Sequence, residues 1–341
     1  MDDLEGHAAA AGGAGRVDLR PAPATPGTTT SGSLGAPLYL AWQLTNECNF
    51  ACLHCIEESG PGRAFKDELD DAQTFEVLRQ AIELDVPYIS LSGGEPMVHP
   101  RFFDLVGFAA ERGTQLKIET DGQYLTKEAC RRLKELDVKS VQVSMDGASR
   151  ETFNKMRVRG DFDEVVQGIR NLVEAGVPLE INYSPTKFNT HEIGRAVDLA
   201  YELGAQNFYT GRTMYTGNAV KTWHMLVPSE DQYMHYFNTL HLKRIEYAGR
   251  MRVHFHEMGL LQEMRERLEN PAALLIVLPN GLVKLDQRTA VYLRRSAPGN
   301  RWSRSGRTSR RPGRTRGWRS SSQALEQDPT KTADLHQWIH V

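Results

Sequence analysis

Three of the chain's four cysteines fall within the single stretch NECNFACLHCIEESG, residues 46–60. Cys48, Cys52 and Cys55 are spaced C-x3-C-x2-C, and Cys130 stands alone far downstream. Three thiolates can hold three irons of a cubane cluster and leave the fourth iron without a protein ligand, whereas ordinary electron-transfer clusters take four cysteines. An open iron is a place for a small molecule to bind. The same residues admit two plainer readings. One is a zinc site completed by His54 or a distant ligand. The other is a redox-active pair, Cys52 and Cys55, but C-x-x-C does that at a helix start in a thioredoxin-like setting, which these neighbours do not provide. Cys130 lies in a helical stretch with apolar neighbours and reads as core.

The elements that position these residues repeat regularly. A strand at LYLAWQLT ends at the cysteine loop, and YISLS (88–92) ends at the turn Gly93-Gly94-Glu95-Pro96. Strands follow at QLKIET (115–120), SVQVSMDG (140–147), LEINYSP (179–185) and QNFYTG (206–211). Helical periodicity separates them at about 70–85, 100–112, 126–136, 149–156, 161–175 and 190–203. Strand then helix, six times over, predicts right-handed βαβ units and a parallel sheet. The strands read as short and apolar, as strands buried on both faces should. Six units predict an α/β fold: a partial (β/α)6 TIM-like barrel with a C-terminal extension. In such barrels the chemistry sits on loops beyond the C-terminal ends of the strands. The cysteine loop, the GGEP turn, Thr120-Asp121-Gly122, Ser144 and Asp146, Asn182 and Ser184, and Gly211-Arg212 all map to that one rim.

C-x3-C-x2-C after the first strand and GGEP after the second, on six βα units, resemble the radical S-adenosylmethionine (radical SAM) enzymes over about residues 38–212. The resemblance implies a [4Fe-4S] cluster on Cys48, Cys52 and Cys55, with its open iron chelating the methionine part of SAM. It implies a 5′-deoxyadenosyl radical that abstracts hydrogen from a substrate. Gly93, Gly94, Glu95 and Pro96 resemble the motif that receives the methionine amino group; glycines let backbone come close, and Glu95 can accept from an ammonium. Ser144 and Asp146 resemble positions near the ribose, and Arg212 resembles an arginine near the SAM carboxylate. Thr120, Asp121 and Asn182 complete the expected cofactor rim. Asp121 stands where many relatives carry Asn, and either residue suits the turn. Residues 37–62 and VSMDG look most like the SPASM/twitch branch, which modifies peptides and cofactor or natural-product precursors. The implied partners are a peptide or small-molecule substrate and an electron donor such as flavodoxin or ferredoxin. Alternative substrates are a tetrapyrrole or a nucleoside-sugar intermediate. The alternative class is a zinc-stabilised or inactive binding module.

Composition sets the remaining expectations. Hydrophobic residues are 40% and charged residues 25% of the 341, with a formal net charge of −2, ordinary for a globular protein. That balance does not call for nucleic acid or anionic membrane. No apolar run reaches the ~20 residues of a membrane helix. The start, with Asp2, Asp3 and Glu5, does not read as a signal peptide, and a cytoplasmic location is expected. Residues 1–36 are rich in Ala, Gly, Thr, Ser and Pro and predict disorder. The core is expected over 37–212, and 213–286 forms an α/β extension. Its helices are expected near 228–248 and 257–269, with a strand at RVHFHE (252–257) and a hairpin around Pro279-Asn280-Gly281. His254, His256 and Glu257 alternate as metal ligands would, but an exposed strand face explains them as well. Tyr233, Tyr236 and Phe237 read as helix core. Residues 288–319 hold eleven arginines and neither Asp nor Glu. The whole 287–341 segment reads as an arginine-rich tail: an out-of-frame remnant of an auxiliary-cluster region, or else a genuine basic tail.

Overall fold

Strand residues alternate between two environments, and that alternation builds the molecule. The computed structural model describes residues 37–258, 274–284 and 292–293. In chain order the strands are β1 (Tyr39–Gln43), β2 (Tyr88–Ser92), β3 (Leu116–Thr120), β4 (Ser140–Ser144), β5 (Leu179–Tyr183), β6 (Asn207–Thr210) and β7 (Arg252–Phe255). They are followed by β8 (Leu274–Val277), β9 (Val283–Lys284) and β10 (Tyr292–Leu293). The sheet runs β10-β9-β8-β1-β2-β3-β4-β5-β6-β7. The eight strands from β8 through β7 are parallel, and β9 and β10 add antiparallel at one end. Among the described residues the two edges do not pair, which leaves an open, partial barrel.

Between the strands lie α1 (Asp71–Glu83), α2 (Phe102–Ala110), α3 (Lys127–Glu135), α4 (Arg150–Met156), α5 (Phe162–Glu174) and α6 (Ile193–Glu202). Beyond β6 come α7 (Asn218–Leu226) and α8 (Glu230–Glu246). Several starts follow from local chemistry. Asp70 with Gln73 and Ser229 with Gln232 form capping boxes, and Thr126, Ser149 and Asp161 cap their helices with one side-chain oxygen each. Leu40, Trp42, Leu91, Ile118, Val141, Ile181 and Phe208 share one core with helix residues such as Leu78, Leu105, Leu133, Ile169, Val197 and Leu240. Cys130 is fully buried there, as read from the sequence, and so are Tyr233, Tyr236 and Phe237.

Two expectations need correction. The strands are not apolar on both faces. Away from the helices β3 carries Lys117 and Glu119, β4 Gln142 and Ser144, and β5 Glu180 and Asn182. Lys117 meets Glu180 at 2.8 Å and Gln142 at 2.8 Å. Tyr39 and Ser90 donate to Glu119. The sheet also does not stop at six: β7 extends one edge and β8 returns to pair with β1. The hairpin at Pro279-Asn280-Gly281 joins β8 to β9 as expected. The expectations for 1–36, for most of 257–269 and for the arginine-rich segment apart from Tyr292–Leu293 fall outside the described residues. Among those described, no helix is long and apolar enough to cross a membrane.

Candidate active site

The cysteine loop leaves β1 with irregular backbone, so its polar groups need partners from elsewhere. The GGEP turn supplies the first. Gly94 N–H donates to Thr45 O at 2.7 Å and Glu95 N–H to Glu47 O at 2.9 Å. Gly93 has φ +146°, and a Cβ there would lie 2.6 Å from Thr45 O. A Cβ on Gly94 would overlap the Glu47 carbonyl and press on Cys48. Only glycines let these two loops touch. The α4–α5 connection supplies the second brace: Ala51 N–H donates to Val158 O and Leu53 N–H to Met156 O.

Each thiol sulfur receives one N–H. Phe50 N–H donates to Cys48 Sγ at 3.4 Å, Ser59 N–H to Cys55 Sγ at 3.3 Å, and Arg157 Nη1 to Cys52 Sγ at 3.7 Å. All three are free cysteines. Burial pushes the Cys48 thiol well up, with Asp121 adding to it. Burial pushes the Cys52 thiol up to about 12, against the opposing pull of Arg157. Among the described residues no three His, Cys, Asp or Glu side chains converge on a point that a single ion could occupy. A cubane does not require such convergence, because each thiolate takes a different iron. Three sulfurs on one braced loop, each accepting an N–H, are a donor set of the kind such a cluster takes.

The structure gives the rim residues these partners within the protein. Glu95 is fully buried, and its carboxylate accepts from Thr120 Oγ1 at 2.8 Å, Asp121 N–H at 2.8 Å and Met97 N–H at 2.9 Å. It ties the end of β2 to the end of β3. Burial, with Asp121 beside it, raises the Glu95 carboxyl well above its ordinary range. Asp121 is raised to about 6, also chiefly by burial. Its Oδ2 lies 4.0 Å from Cys48 Sγ. Pro96 opens a short 3-10 turn, Pro96–Val98, capped by Glu95.

Asp146 is likewise fully buried and committed. Its Oδ2 lies 2.7 Å from Arg157 Nη2 and 2.8 Å from His54 Nε2, and its Oδ1 accepts from Ser184 N–H at 2.7 Å. Burial alone would raise this carboxyl, but Arg157 and His54 outweigh it and hold Asp146 down at about 2. The carboxylate thus joins the ends of β4 and β5 and the cysteine loop. Among the described residues, His54 Nδ1 and Arg157 Nε are buried and have no hydrogen-bond partner, two polar atoms beside the thiols that a bound group could satisfy. Ser144 and Asn182 pair in register and are partly exposed on the helix-free face. Arg212 turns elsewhere: it pairs with Glu230 through two N–H donors at 3.0 Å and stacks over Tyr233 at 4.2 Å. The network of His54, Asp146 and Arg157 was missed from the sequence. His54 lay inside the motif, but nothing in KMRVRG marks Arg157 as its neighbour.

Residues 42–200 match the family model of the Radical SAM superfamily. The cofactors of that family are a [4Fe-4S] cluster and SAM. The chain is 34% identical over 211 residues to the mycofactocin maturase MftC of Mycobacterium tuberculosis, covering 61% of this chain and 52% of that protein. It is 29% identical over 237 residues to the AdoMet-dependent heme synthase of Methanosarcina barkeri, covering 69% of this chain and 67% of that protein. Among solved structures, SuiB of Streptococcus suis bound to S-adenosylmethionine superposes with TM-score 0.62 at 15% identity, over 81% of this chain and 65% of that one. That likeness bears out the partial barrel. The chain spans about half the length of the maturase it matches, 52%.

Proposed function

We propose that the protein is a radical SAM maturase that abstracts hydrogen from a peptide precursor, with Cys48, Cys52 and Cys55 as cluster ligands. The observation that carries the cofactor half of this reading is the braced loop on which each of the three sulfurs accepts one N–H. When bound, cluster and SAM together supply one-electron cleavage of SAM and a carbon radical; the protein binds, orients and shields. Here the GG turn fixes the Cys48 end of the loop, and Met156, Val158 and Arg157 fix its middle. Ser144 and Asn182, partly exposed on the helix-free face, are the rim side chains open to SAM or substrate. Glu95 and Asp146 hold the rim together from inside.

The peptide half rests on the polar helix-free face. Lys117 and Glu180, whose side chains are 17% and 12% exposed, cross it with Gln142 beside them. Amides and charges of a peptide can exchange with such groups, whereas the apolar plane of a tetrapyrrole would take them from water and add no polar partner. MftC is named a mycofactocin maturase, which agrees with this substrate class. The heme synthase relative keeps the tetrapyrrole as the second reading. An external one-electron donor of flavodoxin or ferredoxin type completes the scheme. The test offers the anaerobically reconstituted protein short peptides encoded beside its gene, and separately an iron porphyrin. SAM-derived 5′-deoxyadenosine rising with a peptide, together with a mass change in that peptide, is expected. A response to the porphyrin alone would reverse the choice.

A further inference from the structure

The cysteine loop is held by a third element, and this one lies beyond the 42–200 segment that matches the radical SAM family. Three carbonyls within the motif point at α7. Asn218 N–H donates to Cys55 O at 2.8 Å, Asn218 Nδ2 to Cys52 O at 3.2 Å, and Thr222 Oγ1 to Leu53 O at 2.9 Å. Asn218 and Thr222 are four residues apart and so share one helix face. Gly217 brings that face in. Its φ is +58°, and a Cβ would collide with the carbonyls of Cys55 and Ile56. Lys221 adds an exposed ion pair to Glu58 at 2.6 Å.

We infer that Asn218 and Thr222 are positioning residues for the cluster ligands. They fix the peptide units that carry Cys52 and Cys55, and therefore the directions of two of the three thiols. The inference rests on the cluster assignment proposed above. Its physical basis is general: groups bonded to ligands, and not only the ligands, set how tightly a site holds its metal. The donors here bond the ligand backbone, so the loop cannot rotate these part-buried carbonyls without losing three hydrogen bonds. Side-chain chemistry makes the claim specific. Asn218→Asp is nearly isosteric but replaces the Nδ2 donor with an oxygen facing Cys52 O. Thr222→Val keeps shape and loses the hydroxyl, and Thr222→Ser restores it.

The experiment has two arms on the full chain. In the cluster-free protein, amide hydrogen exchange is followed over residues 48–58. Exchange there should quicken about five-fold in Thr222→Val and about ten-fold in Asn218→Asp, with the strands unchanged. Thr222→Ser and the control Lys221→Ala should match the parent. In the reconstituted protein, release of iron to a chelator should quicken in the same order, with the reduced cluster's EPR spectrum altered and Thr222→Ser restored. A parent protein that holds its cluster, with Asn218→Asp and Thr222→Val indistinguishable from it in both arms, overturns the positioning role alone. A parent protein that takes up no cluster overturns the assignment of the cysteines, and the inference with it.

Discussion

Glu95 and Asp146 are the two carboxylates that the rim buries completely, and each bonds three groups of the protein. Glu95 receives only donors. Glu95→Gln would set an NH2 group against one or more of them, and Glu95→Ala would leave all three unpaired. Unsatisfied buried groups cost about 1–3 kcal/mol each. Both variants should therefore lower the melting temperature of the protein without SAM, alanine more than glutamine. A purely ligand-binding Glu95 would leave that melting temperature unchanged. Asp146 ionises at about 2 in the fold against 3.8 ordinarily. A depressed carboxyl stabilises the fold fully above its unfolded pKa, and the contribution is lost as pH falls through the folded one. Asp146→Asn should cost roughly 3–5 kcal/mol near neutrality, because it leaves Arg157 buried without its counter-charge. The gap between parent and variant should then narrow by roughly 2 kcal/mol as pH falls from about 4 to about 2. Denaturant unfolding at those pH values checks it, and a gap independent of pH would contradict it.

At the scale of elements, the sequence made β1 through β6 and the helices between them legible. Each strand is a short run bounded by turn residues, and α1, α3, α4 and α5 carry side-chain caps. The GGEP turn and the cysteine loop were legible together because cysteine is scarce, with four in the chain, and the paired glycines have an exacting role. Three things were not. The helix α7, NAVKTWHML, begins at Gly217 without a side-chain cap and carries Val, Thr and Trp, which are weak helix formers. Its partners lie some 160 residues upstream, by the separations of 166 and 169 in its bonds to Cys52 and Leu53. The return of β8 to β1 is likewise a long-range pairing that no local pattern encodes. The polar helix-free face was present as alternation, Lys117, Glu119 and Glu180, but parallel strands carried an expectation of apolar runs. The β8 pairing has a measurable consequence. Truncation after Met258 removes β8 and β9, bares the edge of β1 and breaks the small cluster of Ala41, Ile276 and Leu278. It should cost several kcal/mol and lower the melting temperature well below that of a chain ending after Asp286. Equal melting temperatures would show that β8 contributes little.

At the scale of the whole molecule, helices cover one face of an open sheet and leave a polar face beneath a rim of loops. The cysteine loop sits at one side of that rim, held from three directions: the GGEP turn, the α4–α5 connection and α7. Nothing in that arrangement needs a fourth cysteine, and Cys130 is buried in α3, away from the loop. On the proposed assignment, the three thiols of this braced loop leave one iron of the cluster open. One measurement tests this most directly. The protein is reconstituted anaerobically with iron and sulfide, its metal is counted, and SAM is added with a one-electron reductant. About four iron and four sulfide per chain, with 5′-deoxyadenosine and methionine formed, are predicted. Both should be lost in Cys48→Ala, Cys52→Ala and Cys55→Ala and kept in Cys130→Ala. A colourless protein that binds zinc and leaves SAM intact, or a cluster that requires Cys130, would contradict the account.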